Sequence, residues 1–203
     1  ELALFARQDL GQVVVTLAPE VVPKEQIEWL TERNVVVSLG HTNASYETAK
    51  NAFECGANGV THLFNAMSPL NARAPGVVGA ALLDDCAYCG IIVDGHHVHP
   101  ASLNLAIKAI GKDRIMLVTD AMALAGSDKT EVEFFDRKIF RQGNKLTSST
   151  GELAGSTLTM DVAVKNAIQT LAIEPSDALV MAAGTPARVL GVDNDYGKLL
   201  PGY

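Results

Sequence analysis

Positive charge is in short supply in this chain. Sixteen Lys and Arg face 23 Asp and Glu, which gives a formal charge of −7 and a pI near 5.2. Nucleic-acid binding needs a basic face to neutralise phosphates, and this balance argues against it. An anionic small substrate is not excluded, because a few Arg and His reverse the sign inside one pocket. Long apolar runs are missing too. The longest, such as residues 13–18 with Thr16 inside, fall far short of the roughly 20 residues that cross a bilayer. No charged-then-apolar leader opens the chain, so the expected location is the cytoplasm, away from any membrane.

Cysteine is scarce and odd in number, with only Cys55, Cys86 and Cys89, which favours a reducing compartment. Cys86-Ala87-Tyr88-Cys89 has C-x-x-C spacing. A structural zinc site would need a second pair, and a redox motif opens a helix, whereas this one runs into a strand-like segment. Buried, inert thiols are expected. Internal repeats, linkers and low-complexity stretches are absent as well.

What remains is 48% apolar content over 203 residues, enough for one sizeable core. Near-continuous Val/Ile/Leu runs at residues 12–17, 35–39, 59–63, 89–93 and 115–119 read as strands buried on both faces of a parallel sheet. Between them lie helical patterns. Residues 23–34 carry Ile27 and Leu30 on one face with Trp29 beside them; residues 45–55 carry Tyr46, Ala49 and Phe53 and stop at Gly56; residues 100–110 start at Pro100 and stop at Gly111. Further helices are expected at 157–171, 175–183 and 185–190, the last with Thr185 as N-cap and Pro186 at its first position.

This βα order implies an α/β fold with right-handed crossovers. Residues 131–147 break the rhythm with alternating segments about turn residues, one of them containing Asp136, and read as a β-hairpin over the mouth of the sheet. Five strands are too few to close a barrel of eight, a domain of roughly 250 residues. The chain opens mid-pattern and ends at Pro201-Gly202-Tyr203 after a turn, so both ends are expected to be cut.

The polar residues that interrupt this pattern fall at one recurring place. Strand-like runs lead into Gly40-His41-Thr42, Thr61-His62-Leu63, Asp94-Gly95-His96-His97 and Thr119-Asp120. Four successive strands thus deliver a His or Asp to the same end of the sheet, the carboxyl end where α/β folds build ligand sites. A lone His there is more often a hydrogen-bonded structural residue, and a lone Asp a turn cap. Four such accidents at equivalent positions are improbable. Neutral imidazole binds zinc and related ions, and a nearby carboxylate serves as general base towards a metal-activated water. The pattern points to metal-assisted hydrolysis by His41, His62 and Asp120. Glu20 also follows a strand and, from spacing alone, is a further candidate ligand.

Six segments in order carry a family resemblance: Thr16-Leu17-Ala18-Pro19-Glu20, Gly40-His41-Thr42-Asn43-Ala44, Thr61-His62-Leu63-Phe64-Asn65-Ala66-Met67, Asp94-Gly95-His96-His97-Val98, Leu117-Val118-Thr119-Asp120-Ala121 and Gly151-Glu152-Leu153-Ala154-Gly155-Ser156. Together they resemble the N-acetylglucosamine-6-phosphate deacetylases of the amidohydrolase superfamily, over nearly the whole chain.

The resemblance implies a (β/α)8 TIM-type barrel, of which residues 1–203 hold about five of eight strands, with a β-sandwich domain lying outside this chain. It implies removal of the acetyl group of N-acetylglucosamine 6-phosphate in amino-sugar catabolism. His41 and His62 would be the metal ligands, with zinc expected and iron, cobalt or manganese as alternatives. Asp120 would be the general base and then the acid. His97, Asn65, Ala66, Leu153, Ala154 and Gly155 would line the substrate site, and Arg73 would reach the phosphate across a homodimer interface.

The family's carboxylate ligand lies in a His-Leu-Glu-Gly-Pro motif upstream of residue 16, and this chain starts after it. Glu20 matches a different motif and is not assigned as a ligand. His96 and His99 are additional to the pattern. Two other readings stand beside this one: a non-catalytic phosphosugar-binding relic, against which retention of Asp120 speaks, and an amidohydrolase acting on a different amide.

Overall fold

A computed structural model describes residues 2–135 and 137–201; Asp136 of the expected hairpin and Gly202-Tyr203 at the end lie outside the described residues. The chain forms a mixed α/β fold around a five-stranded parallel sheet: β1 (Val14–Leu17), β2 (Val36–Leu39), β3 (Gly59–Val60), β4 (Tyr88–Ile91) and β5 (Ile115–Leu117), hydrogen-bonded in that spatial order. The helices between them are α1 (Lys24–Thr31), α2 (Tyr46–Glu54), α3 (Gly76–Leu83) and α4 (Pro100–Ile110). Spatial order follows chain order without reversal. Right-handed crossovers then put every connecting helix on one face of the sheet, whereas a doubly wound fold reverses direction part-way.

Local chemistry sets the helix ends. The Ser45 side chain accepts from Thr48 N and caps α2, and Gly56, at φ 94°, ends it. His99 Nδ1 accepts from Ala101 N and caps α4 ahead of Pro100, so this extra histidine has a structural task. On α1, Ile27 and Leu30 are buried, and the Arg33 guanidinium lies 4.1 Å from the centre of the Trp29 ring.

Several sequence expectations change. Helix α3 is absent from the sequence reading because Gly76–Leu83 is apolar throughout and buried over most of its length, so it carries no helical stripe. The strand at 59–63 contracts to Gly59–Val60, although Thr61 N still donates to Leu39 O and Leu63 N to Gly90 O. Val14 on β1 is half exposed, since β1 is a sheet edge among the described residues. Cys86 is exposed and not buried. It sits in a turn whose amides, Cys86 N and Ala87 N, donate to Asp84 Oδ1, and only Cys89 reaches the strand, where burial pushes its thiol up to about 12.

Thr185 is not an N-cap. The chain runs from α6 (Pro175–Leu179) through a π-helical turn (Val180–Gly184) straight into α7 (Thr185–Val189), with Thr185 itself helical and fully buried. Pro186 has no N–H to give the preceding turn, and widening that turn relieves the clash of its ring with the carbonyl four residues back.

The expected hairpin belongs to a larger unit. Strands β6 (Glu131–Phe134), β7 (Arg137–Gln142), β8 (Lys145–Ser148) and β9 (Leu153–Ser156) form a four-stranded antiparallel sheet over a small core of Leu124, Ile139 and Leu146. Helix α5 (Met160–Leu171) then returns the chain to the main core. The final strand escapes the sequence reading because Leu153-Ala154-Gly155-Ser156 has neither alternation nor β-branched residues.

Candidate active site

Each strand of the parallel sheet delivers polar residues just past its carboxyl end. Glu20 follows β1, His41 follows β2, His62 follows β3, Asp94 to His97 follow β4, and Asp120 follows β5. His41 and Asp120 both adopt left-handed backbone, at φ 51° and 49°, as do Phe64 (78°) and Ala66 (46°) beside His62. Non-glycine residues avoid this region, and clustered violations are characteristic of sites where packing holds a side chain at a required angle.

The loops around these residues are tied together by hydrogen bonds. Thr42 N donates to Ala66 O (3.0 Å) and Ser68 N to Thr42 O (3.1 Å), which joins the segments following His41 and His62. Glu20 accepts from Asn43 N (2.8 Å) and from the Thr42 hydroxyl. Burial would raise its carboxyl, but these donors outweigh that and lower it, so the side chain is an anionic clamp on the residues that follow His41. Beyond β5, the Ser156 hydroxyl donates to Thr119 O, and Ser156 N donates to Asp120 O (2.8 Å). Gly155 is required beside it: at φ +69°, a Cβ there would stand 2.4 Å from Met122 Cγ and 3.0 Å from Asp120 O.

The result is a cavity of about 700 Å³. His41, His62, Asn65, Ala66, His97, Asp120, Leu153, Ala154 and Gly155 all line it. Arg73 does not. It is exposed on the short turn closed by the Asn71–Ala74 pair, and it makes no hydrogen bond or ion pair among the described residues.

Sequence reasoning missed the contribution of the antiparallel sheet: Phe134, Phe135, Arg137, Ile139, Ser148 and Glu152 also line the cavity, as does Met122. The available signal was the hairpin's placement over the sheet mouth. It also missed the task of Asp94. That side chain accepts from His96 N and His97 N (each 2.9 Å) through Oδ1, while Oδ2 receives His97 Nδ1 at 2.6 Å. Burial pushes the Asp94 carboxyl up, but these donors prevail and hold it at about 2. With Nδ1–H donating to Asp94, Nε2 is the ring nitrogen of His97 left to face the cavity as an acceptor.

His41 Nε2 and His62 Nε2 lie 3.0 Å apart. Two nitrogens on one tetrahedral ion, with bonds of about 2.0–2.1 Å, stand roughly 3.3 Å apart, so the pair fits two positions of one coordination sphere. Burial pushes the His62 imidazole down in pKa and His41 adds to this, against the pull of the Asp120 charge, which favours the neutral form a metal requires. Among the described residues no third His, Cys, Asp or Glu completes a set of three.

A model of the amidohydrolase family matches residues 8–203. The chain belongs to the amidohydrolase family. Amidohydrolases generally depend on a divalent metal, in keeping with the facing imidazoles. Among its relatives, an N-acetylgalactosamine-6-phosphate deacetylase of Shewanella sp. (strain ANA-3) is 50% identical over 190 residues, covering 94% of this chain and 48% of the relative. An N-acetylglucosamine-6-phosphate deacetylase of Vibrio furnissii is 41% identical, covering 91% and 46%. The crystal structure of N-acetylglucosamine-6-phosphate deacetylase from Pasteurella multocida superimposes with a TM-score of 0.89 at 42% identity, over 93% of this chain and 49% of that one. The chain spans about half the length of these three relatives. Among the described residues, no helix is long and apolar enough to cross a membrane.

Proposed function

We propose that this chain forms the His41–His62–Asp120 part of an enzyme that hydrolyses the acetamide of N-acetylglucosamine 6-phosphate to acetate and glucosamine 6-phosphate, in amino-sugar catabolism. The observation that carries this is the convergence of two facing imidazoles and one carboxylate on a single cavity, in an amidohydrolase whose relatives are named as deacetylases of such sugars.

His41 and His62 would hold a divalent cation, zinc first, with iron, cobalt or manganese as alternatives. Such an ion supplies Lewis acidity to the amide carbonyl and to a water. Asp120 takes the proton from the attacking water and returns it to the nitrogen as the C–N bond breaks, because an amine leaves readily only when protonated. His97, fixed by Asp94, accepts from a sugar hydroxyl through Nε2. Asn65, Ala66 and residues 153–155 shape the rest of the pocket, with the Asn65 amide itself committed to the carbonyls of His62 and Leu63.

The same reading extends to architecture. Five parallel strands in unbroken chain order are taken as five of the eight in a (β/α)8 barrel, with residues 1–203 as the larger part of that domain, a sandwich domain outside it, and a cytoplasmic homodimer in which Arg73 reaches the neighbouring site. Three free cysteines support a reducing compartment. The galactosamine epimer is a second substrate reading, favoured by the 50% identical relative named for it.

The test is acetate release from each of the two sugar phosphates with zinc supplied, using the chain alone and a chimera restored to its relatives' full length. Asp120→Asn is expected to slow release by about 10²- to 10⁴-fold. No release from either sugar by the chimera, with any common divalent metal, overturns the reading.

A further inference from the structure

Among the described residues lining the cavity, Arg137 is the one Lys or Arg. The other fixed charges on the wall, Asp120 and Glu152, are acidic and would repel an incoming phosphate. Arg137 opens β7 and pairs in register with Phe134 of β6, so it stands at the tip of the β6–β7 hairpin. It is exposed and makes no ion pair or hydrogen bond among the described residues. The other basic residues of β7 are committed: Lys138 pairs with Glu131 at 3.6 Å, and Arg141 donates to the carbonyls of Gly143, Leu124 and Ser127. On a wall whose other fixed charges are acidic, this guanidinium, with no partner among the described residues, is the local cation.

Its neighbours at the hairpin tip are aromatic. Phe134 and Phe135 stack edge-to-face at the same tip, with ring centroids 4.7 Å apart, and both line the cavity. Phe135 is 88% exposed with φ 52°, so an aromatic ring is held out at the hairpin tip at the cost of a left-handed residue. The antiparallel sheet is moored over the site by His96 Nε2, which lies 2.9 Å from Asn144 Oδ1 in the next turn.

We propose that Arg137 is a phosphate-binding residue of this site, supplied by the chain's own hairpin. The proposal rests on the phosphosugar reading above and deepens it. The phosphate then has a cation from the same subunit as Asp120, whatever Arg73 contributes. A guanidinium binds phosphate oxygens through two parallel N–H donors, which an ammonium cannot reproduce.

The test is calorimetric binding of N-acetylglucosamine 6-phosphate, N-acetylgalactosamine 6-phosphate and the two unphosphorylated sugars, in an Asp120→Asn background that prevents turnover. Arg137→Ala is expected to weaken binding of the phosphorylated sugars by about 10- to 100-fold and to leave the unphosphorylated ones within about twofold. Arg137→Lys, which keeps the stem and the charge, is expected to recover part of the loss and guards against a folding defect. Equal loss for both kinds of sugar, or no loss for either, overturns the role. Parent protein that binds phosphorylated and plain sugars equally overturns the anion subsite as a whole. Acetate release by the full-length chimera with an intact Asp120 separately decides the deacetylase reading.

Discussion

Asp94→Asn puts the link between sequence, electrostatics and site geometry under direct test. The Asp94 and His97 side chains are each 6% exposed, and the carboxylate accepts from one ring N–H and two backbone N–H groups. Folding lowers the carboxyl from its ordinary 3.8 to about 2, a difference worth about 2 kcal/mol at neutral pH. A depressed carboxyl stabilises the fold above its unfolded value and loses that contribution as pH falls through the folded one. The stabilisation is therefore complete above about pH 5, near half at about pH 3 and mostly gone by about pH 2.

Asparagine removes the charge and turns a donor towards His97 Nδ1. This forces the opposite ring tautomer and takes the acceptor away from the cavity. Urea unfolding at pH 7 is expected to show the variant less stable by about 2 kcal/mol, with Tm lower by roughly 4–8 °C for a chain of this size. The gap should shrink by about half at pH 3. A gap below about 0.5 kcal/mol at pH 7, or one unchanged at pH 3, would refute the assignment of that energy to the Asp94 carboxylate.

Two further expectations concern the residues that hold the loops. Glu20→Ala frees the Thr42 hydroxyl and Asn43 N next to His41 and is expected to weaken divalent-metal binding by about 10-fold. Competition with a chromogenic chelator measures this, and unchanged affinity would remove Glu20 from the support of His41. Gly155→Ala forces a Cβ against Met122 and Asp120 O in a left-handed backbone, and should destabilise by about 2 kcal/mol or more. A thermal melt within 1–2 °C of the parent (roughly 0.5 kcal/mol) would show that the β9 turn yields without strain.

The fold class was legible because parallel strands buried on both faces leave continuous apolar runs, and because Pro and Gly punctuate the helices between them. The strand-end histidines and Asp120 were legible for a related reason: a polar residue just past such a run has nowhere to go but the sheet's carboxyl edge. Helix α3 was not, since a helix buried on most sides loses the periodic stripe that betrays one. The π-turn before Pro186 was hidden too, because proline reads locally as a start although here the helix runs on through it.

By itself, then, the sequence determined the order of the five parallel strands, the end of the sheet where His and Asp gather, and the candidates His41, His62, His97 and Asp120. Tertiary structure alone decided that two of these imidazoles face each other at 3.0 Å, that Asp94 fixes a third, and that Glu20 serves the loop and not the cavity. It also brought Arg137 to the wall and left Arg73 off it. The physical reason is one of range. Periodicity, caps and turns are written in contacts a few residues apart, whereas a site is made from side chains tens of residues apart, whose distances are set only when the sheet packs.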